Sequence, residues 1–267
     1  MKTFTIQHST IYNYDYAPLW VVHKVALTPQ NNKRQKVLEW NLIVKGGNIE
    51  LTSNDHFGNI INLVKSKNKR ISITAYGTVN IIDDSGITGH EKSLIPIDCY
   101  LNHTVFTKPG KNIFKLIQRI KKNIETPVVL FHKISDLIKN SVIYKKNKTN
   151  TNTSAEDACE IGYGVCQDHT HILISVAREL GYPARYVSGY MNLNNSERIE
   201  ASHAWAEIFF NDIGWVGYDV SNGISPNENY IFLSRGFDYN DVAPIKGVKI
   251  GTSEEKLTTG ITIKENQ

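Results

Sequence analysis

Three cysteines in 267 residues are too few, and odd in number, for a disulfide framework. They suit a reducing compartment, and a cytoplasmic protein is the expectation. Long apolar runs are missing too. Val128–Phe131 is among the longest, so no membrane-spanning helix is predicted. The start, Met1-Lys2-Thr3-Phe4-Thr5-Ile6-Gln7-His8, has no apolar core of the kind a secretory signal needs. No Asp-x-Asp-x-Asp-Gly loop offers calcium an oxygen cage. With 40% hydrophobic and 21% charged residues, collagen-like and disordered classes are excluded. No internal repeat is visible.

Net charge is only +4, but it is unevenly placed. Residues 1–150 hold 22 Lys/Arg against 10 Asp/Glu, and residues 151–267 hold 8 against 16. The basic residues gather in turn-like clusters (Lys65–Arg70 and Lys145–Lys148), and no nucleic-acid motif accompanies them. Neither a nucleic-acid nor a membrane partner is expected. Opposite charge on the two halves could help them dock.

The first hundred residues read as β structure. Thr3–Tyr16 is rich in Thr, Ile, Tyr and Phe. Residues 36–44, 60–64 and 71–82 are further strands. In the last, Ile71, Ile73, Ala75, Val79 and Ile81 alternate with polar residues. Turn signals stand at Gly46-Gly47-Asn48, around Gly58, and at Asp83–Gly86. Short strands at this spacing predict a β-rich sandwich or barrel-like domain over 1–105. Residues 106–267 form the second domain. Helix-period apolar residues predict helices over 112–124 and 129–143. An exposed loop follows at 145–153, and Ser154 is an N-cap with Asp157 three residues on.

Chemistry concentrates in Gly162-Tyr163-Gly164-Val165-Cys166-Gln167-Asp168-His169-Thr170-His171. This run leads into a helix that ends at Gly181 and Pro183. Cys166, His169, Leu173, Val176, Ala177 and Leu180 share one helical stripe. Cys166 therefore lies in the first turn, where unpaired N–H groups and the helix dipole favour a nucleophilic thiolate. Ala201–Phe210 alternates like a strand, Asn211-Asp212-Ile213-Gly214 is a turn, and Trp215–Val220 is a second strand. Such a hairpin brings His203 and Asp219 within one or two rungs of each other. An imidazole oriented by a carboxylate beside a helix-terminal thiol is a Cys–His–Asp arrangement. Each residue alone has a plainer reading: a core cysteine, a satisfied strand histidine, a turn aspartate. Three of them in compatible places favour the chemical one.

These blocks resemble the bacterial transglutaminase-like family, in the branch assigned to the cysteine proteases. The resemblance rests on Thr153-Ser154-Ala155, Gly164-Val165-Cys166-Gln167-Asp168, Leu180–Tyr190, Ala201-Ser202-His203-Ala204-Trp205, Gly214–Asp219 and Asp238–Pro244. The β-rich start, with Asp55-His56-Phe57-Gly58-Asn59, resembles the domain that precedes the core in this branch. The resemblance implies an α+β fold: a papain-like transglutaminase core, in which a Cys-bearing helix packs on an antiparallel sheet carrying His and Asp. It puts the nucleophile on Cys166, the base on His203 and its orienting carboxylate on Asp219. It implies a thiol acyl-transfer enzyme acting on protein or peptide amide bonds, a cysteine hydrolase rather than a cross-linking transamidase. Cores of this kind can also persist as scaffolds after losing the triad, but here all three positions are intact. The chain departs from the family pattern at His169, at Val220-Ser221-Asn222-Gly223 and at Phe237, the last bearing on substrate preference.

No cofactor is expected. Cys159, Cys166, His169, His171 and His203 include metal-ligand types, but their spacing is not that of a zinc site. Tyr163, Tyr190, Trp205 and Trp215 are candidates for lining a narrow site. Gln167 and Tyr190 are candidates to assist the Cys166 backbone N–H as oxyanion donors.

Overall fold

The computed structural model describes residues 1–120, 126–192 and 202–266. Six strands open the chain: β1 (Lys2–Tyr14), β2 (Trp20–Thr28), β3 (Gln35–Lys45), β4 (Asn48–Asn54), β5 (Ile60–Ser66) and β6 (Arg70–Ile81). A short β7 (Ile87–Gly89) leads to helices α1 (Lys111–Gln118) and α2 (Pro127–Ser141). Then come β8 (Ile143–Tyr144), α3 (Ala155–Ile161), β9 (Tyr163–Gly164) and the central helix α4 (Cys166–Glu179). The chain continues with β10 (Ala184–Met191), β11 (Ser202–Phe210), β12 (Gly214–Tyr218), β13 (Tyr230–Gly236), α5 (Tyr239–Val242), β14 (Ile245–Ile250) and β15 (Glu255–Asn266).

Strand alternation builds a sandwich. On β6, Ile71, Ile73, Ala75, Val79 and Ile81 all point inward, as their spacing requires. Phe4, Ile6, Tyr12 and Tyr14 of β1 and Val21, Val25 and Leu27 of β2 meet them. One sheet runs β15-β1-β6-β3 and the other β14-β2-β5-β4. Each large apolar side chain buried there contributes about 1.5–3 kcal/mol.

A five-stranded antiparallel sheet, β13-β10-β11-β12-β7, carries the rest. One of its faces is covered at one end by α4, which packs on Tyr186, Ala204 and Ala206. At the other end the same sheet meets the sandwich, whose core takes in Tyr190, Ile231 and Leu233. Helix α4 is buried all round from Asp168 to Arg178, not along a single stripe, because α2 and α3 pack on the side away from the sheet. Ser154 caps α3 reciprocally with Asp157, as the sequence suggests. Helix α1 stops at Gln118, and residues 121–124 of the helix predicted there lie outside the described residues.

The sheets do not follow a division at residue 105/106. β15 pairs with β1 over its whole length, and β14 pairs with β2. The last strands of the chain thus belong to the sandwich, while β7 from the N-terminal part joins the core sheet beside β12. The physical reason is edge protection: β1 and β2 would otherwise present long open edges. The free edge of β13 is covered in a similar way. Gln35 exchanges two hydrogen bonds with the Phe232 backbone at 2.8 and 2.9 Å, and Asn59 exchanges two with the Arg235 backbone at 2.7 and 2.9 Å. Side-chain amides and a shared apolar core, more than the opposite net charges, join the two parts. Lys2–Glu228, at 3.7 Å, is a peripheral ion pair between them.

Candidate active site

Helix α4 begins where the local sequence can start it. The Val165 N–H donates to Asp168 Oδ2 at 2.7 Å, the side chain reaching back as in a capping box. Thr149 Oγ1 donates to the same oxygen at 2.7 Å. Gly164 is needed for this approach, since a Cβ there would stand 2.8 Å from Asp168 Cβ. Cys166 is the first helical residue and is half-buried.

The hairpin of β11 and β12 supplies the other two residues. Ala206 pairs with Tyr218, so Asp219 stands one step past the paired register, opposite Trp205. His203 lies two residues from Trp205 and projects from the same face, which makes His203 and Asp219 diagonal neighbours. His203 Nε2 lies 2.6 Å from Asp219 Oδ2, and both side chains are buried. The imidazole and the Cys166 thiol line the same cleft, and the thiol is among the groups that favour the charged imidazole. Since Nε2 faces Asp219, Nδ1 is the atom left for the sulfur. The hairpin thus brings His203 and Asp219 together, and Cys166 lines the same cleft as His203.

Asp219 is held by more than His203. Tyr230 Oη donates to Oδ2 at 2.6 Å, Asn222 Nδ2 donates to Oδ2 at 2.6 Å, and the Asn222 N–H donates to Oδ1 at 3.2 Å. Burial alone would raise the Asp219 carboxyl. The hydrogen bonds from His203, Asn222 and Tyr230 and the charge of His203 outweigh it and keep the group below the ordinary carboxylate range. Burial likewise opposes a charge on His203. The hydrogen bond to Asp219, the nearby Cys166 thiol and the charges of both overcome it and raise the imidazole to about 10.

The site opens into a cleft of about 330 Å³. Its floor is the core sheet at Tyr186, Ser188 and Ala204, and one wall is the start of α4. The opposite wall belongs to the sandwich: His8 and Tyr12 from β1, Leu257 and Ile261 from β15.

Residues 115–220 match the family model of the transglutaminase-like superfamily core, and residues 4–80 match that of the bacterial transglutaminase-like N-terminal region. The chain belongs to the bacterial transglutaminase-like family. An uncharacterised protein of Mycobacterium leprae is 29% identical over 278 residues, covering 98% of this chain and 99% of its own. An uncharacterised protein of Mycobacterium tuberculosis is 24% identical over 286 residues, covering 95% and 90%. The crystal structure of "a Putative Cysteine Protease" from Cytophaga hutchinsonii has the same fold, with a TM-score of 0.79, 22% identity, and coverage of 100% of this chain and 91% of that one.

In this transglutaminase-like chain, several expected site residues lie elsewhere. Trp205 and Trp215 are buried in clusters on the sheet face away from α4, and Tyr163 stands on β9. Tyr190 is under the sandwich with its hydroxyl on His8 Nδ1 at 2.8 Å, so it is not an oxyanion donor. Gln167 does line the cleft, its amide donating to the Thr151 carbonyl at 3.3 Å. The aromatic lining comes from Tyr12, Tyr186 and Tyr239 instead. Phe237 packs with Phe57 and Tyr100, away from the cleft. Among the described residues no cluster of three metal-ligating side chains forms, and no helix is long and apolar enough to cross a membrane.

His169 is a hydrogen-bonded core histidine, and it also braces the turn after Asp219. The Val142 carbonyl, 2.8 Å from Nε2, can only accept, so the proton sits there. Nδ1 then accepts from Ser221 Oγ at 2.9 Å, in the turn that follows Asp219. Burial keeps the ring neutral.

Tyr230 and Asn222 escape sequence reasoning, since a tyrosine on a strand and an asparagine in a turn are ordinary there. Tyr230→Phe removes one donor from a buried carboxylate. It should cost about 1–3 kcal/mol of stability in urea unfolding. It should also raise the pH at which the Asp219 carboxyl titrates, readable by NMR of the carboxyl carbon.

Proposed function

We propose that the protein is a thiol acyl-transfer enzyme that cleaves amide bonds of proteins or peptides through a Cys166 thioester. The observation that carries this reading is the buried His203 imidazole, hydrogen-bonded to Asp219 and lining one cleft with the Cys166 thiol. His203 takes the thiol proton at Nδ1, and Asp219 fixes the tautomer and stabilises the imidazolium. The thiolate adds to the amide carbonyl carbon. The oxyanion faces the Cys166 backbone N–H at the start of α4, where the helix dipole favours negative charge. When the tetrahedral adduct collapses, the C–N bond breaks and His203 gives its proton to the departing nitrogen. Water then attacks the thioester, with His203 taking its proton, and the acid and free thiol are released.

Hydrolysis is the reading we favour over cross-linking. A transamidase must hold an amine and exclude water from the thioester. The described cleft walls mix Ser188, Ser202 and Thr259 with apolar side chains, and neither Trp205 nor Trp215, the candidates for an apolar channel, lines the cleft. A reducing, cytoplasmic setting fits three unpaired cysteines.

Two measurements test this. Limited iodoacetamide at neutral pH should label Cys166 ahead of Cys159, whose thiol burial and the Glu156 charge push up to about 12. Labelling of Cys159 first would remove Cys166 as nucleophile. Incubation with ordinary and glutamine-containing peptides, with and without a labelled primary amine, should yield acid faster than amine adduct. The opposite ratio would make the protein a transamidase. An alkylatable Cys166 with no turnover would make it a scaffold.

A further inference from the structure

A second polar site lies between the sandwich and the face of the core sheet turned away from α4. Arg34, just before β3, is only 7% exposed, yet it has no carboxylate oxygen within ion-pair distance among the described residues. Its guanidinium donates to two backbone carbonyls, Pro226 at 2.7 Å and Asn227 at 3.1 Å. The carboxylates whose charge it feels, Glu207, Asp83, Asp84 and Glu228, all stand farther off. Its Nε–H meets no protein acceptor. On β11, the Trp205 indole N–H is buried and meets none either. Both side chains line the same small cavity of about 20 Å³.

The rest of the lining sharpens the chemistry. Arg185 and Arg235 share Glu91, and Arg185 Nε donates to Glu207 at 2.6 Å. With Arg34, three guanidinium groups face two carboxylates around the cavity. The unmet groups are both donors. Of the nearby acceptors, Glu207 Oε1 already accepts from Thr88 at 2.5 Å, and Asn32 Oδ1 from the N–H groups of Arg34 and Gln35 at 2.8 Å. A water placed there would satisfy the two donors but bring no charge to the buried guanidinium. A monatomic anion needs only donors. It also supplies the charge that a buried guanidinium lacks, and the space suits one small particle.

We infer that this cavity is a binding site for a single monovalent halide-type anion, chloride in ordinary solution, held by Arg34 Nε–H and Trp205 Nε1–H. Bound there, the anion ties the connection that precedes β3 to the sheet, next to the strand that carries Tyr230. It touches no reacting atom, so its role is to hold the sandwich on the core.

The test uses the full chain. Thermal unfolding is followed as chloride replaces gluconate at constant ionic strength, so that general screening is unchanged. The midpoint should rise saturably by roughly 3 °C or more. Trp205→Phe, which keeps the ring and deletes one donor, should need more chloride for the same rise, and Arg34→Gln should abolish it. Crystals of the unaltered chain grown in bromide should show an anomalous peak between the two N–H groups, a readout that does not depend on either variant folding. Water alone at that position, or an equal chloride response in the unaltered chain and Arg34→Gln, would overturn the assignment.

Discussion

Asp219→Asn should lower kcat/KM by about 10²–10⁴-fold while the chain stays folded. Asp219 Oδ2 accepts from His203, Tyr230 and Asn222, each at 2.6 Å. An asparagine amide offers one acceptor atom and turns its NH₂ toward a donor. The histidine tautomer is then no longer enforced, and the imidazolium loses its counter-charge. The pH dependence separates this from simple damage. In the unaltered protein His203 is raised to about 10, so the alkaline limb of the rate profile belongs in that region. With the carboxylate gone, burial is left as the stronger influence on His203, and the limb should move down by several pH units.

Stability carries the same signature. The raised imidazole contributes fully below the ordinary histidine value near 6.5, and that contribution fades as pH climbs toward about 10. Unfolding in urea at pH 6 and pH 9 should therefore show the unaltered protein losing stability toward alkaline pH through this pair. Asp219→Asn should lack that loss. Turnover near the unaltered rate, with an unmoved limb, would remove Asp219 from the proposed mechanism.

The site was legible because its parts are local. Cys166 follows a glycine-rich turn into a helix, and His203 and Asp219 sit on one hairpin whose register can be counted from its turn. The alternation on β6 was equally plain, since one face is buried from Ile71 to Ile81. What stayed hidden is non-local. Tyr230 comes from the sheet's edge strand and Asn222 from a turn, and nothing in either neighbourhood announces a buried carboxylate. His8 reads as one more residue of a strand, and only the folded chain places it across the cleft from Cys166. β15 was missed for a different reason. It is exposed along nearly all of its length, with Ile261 its one buried residue, and the short alternation Leu257, Thr259, Ile261, Ile263 is a weak signal that names no partner. Its partner β1 is almost the whole chain away.

That return of the chain predicts a large loss on truncation. Ending the protein at Pro244 removes β14 and β15, uncovers the pairing edges of β1 and β2, and deletes Leu257, Thr259 and Ile261 from the cleft wall. The sandwich core also loses Ile245, Ile261 and Ile263. Open edges of this length pair with other chains, so the truncated protein should aggregate or melt far below the full-length form. Deleting residues 1–105 should be at least as damaging, because it strips β14 and β15 of their partners and exposes Tyr190, Ile231 and Leu233. A point variant keeps the idea testable if neither fragment can be isolated. Ile261→Ala should cost about 2 kcal/mol, the lower end for a buried isoleucine on an edge strand. It should also raise KM more than it lowers kcat, since the residue lines the cleft without touching Cys166 chemistry. A monomeric truncated chain with an unshifted melting point and unchanged kinetics would show that the C-terminal strands are an appendage to a self-sufficient core.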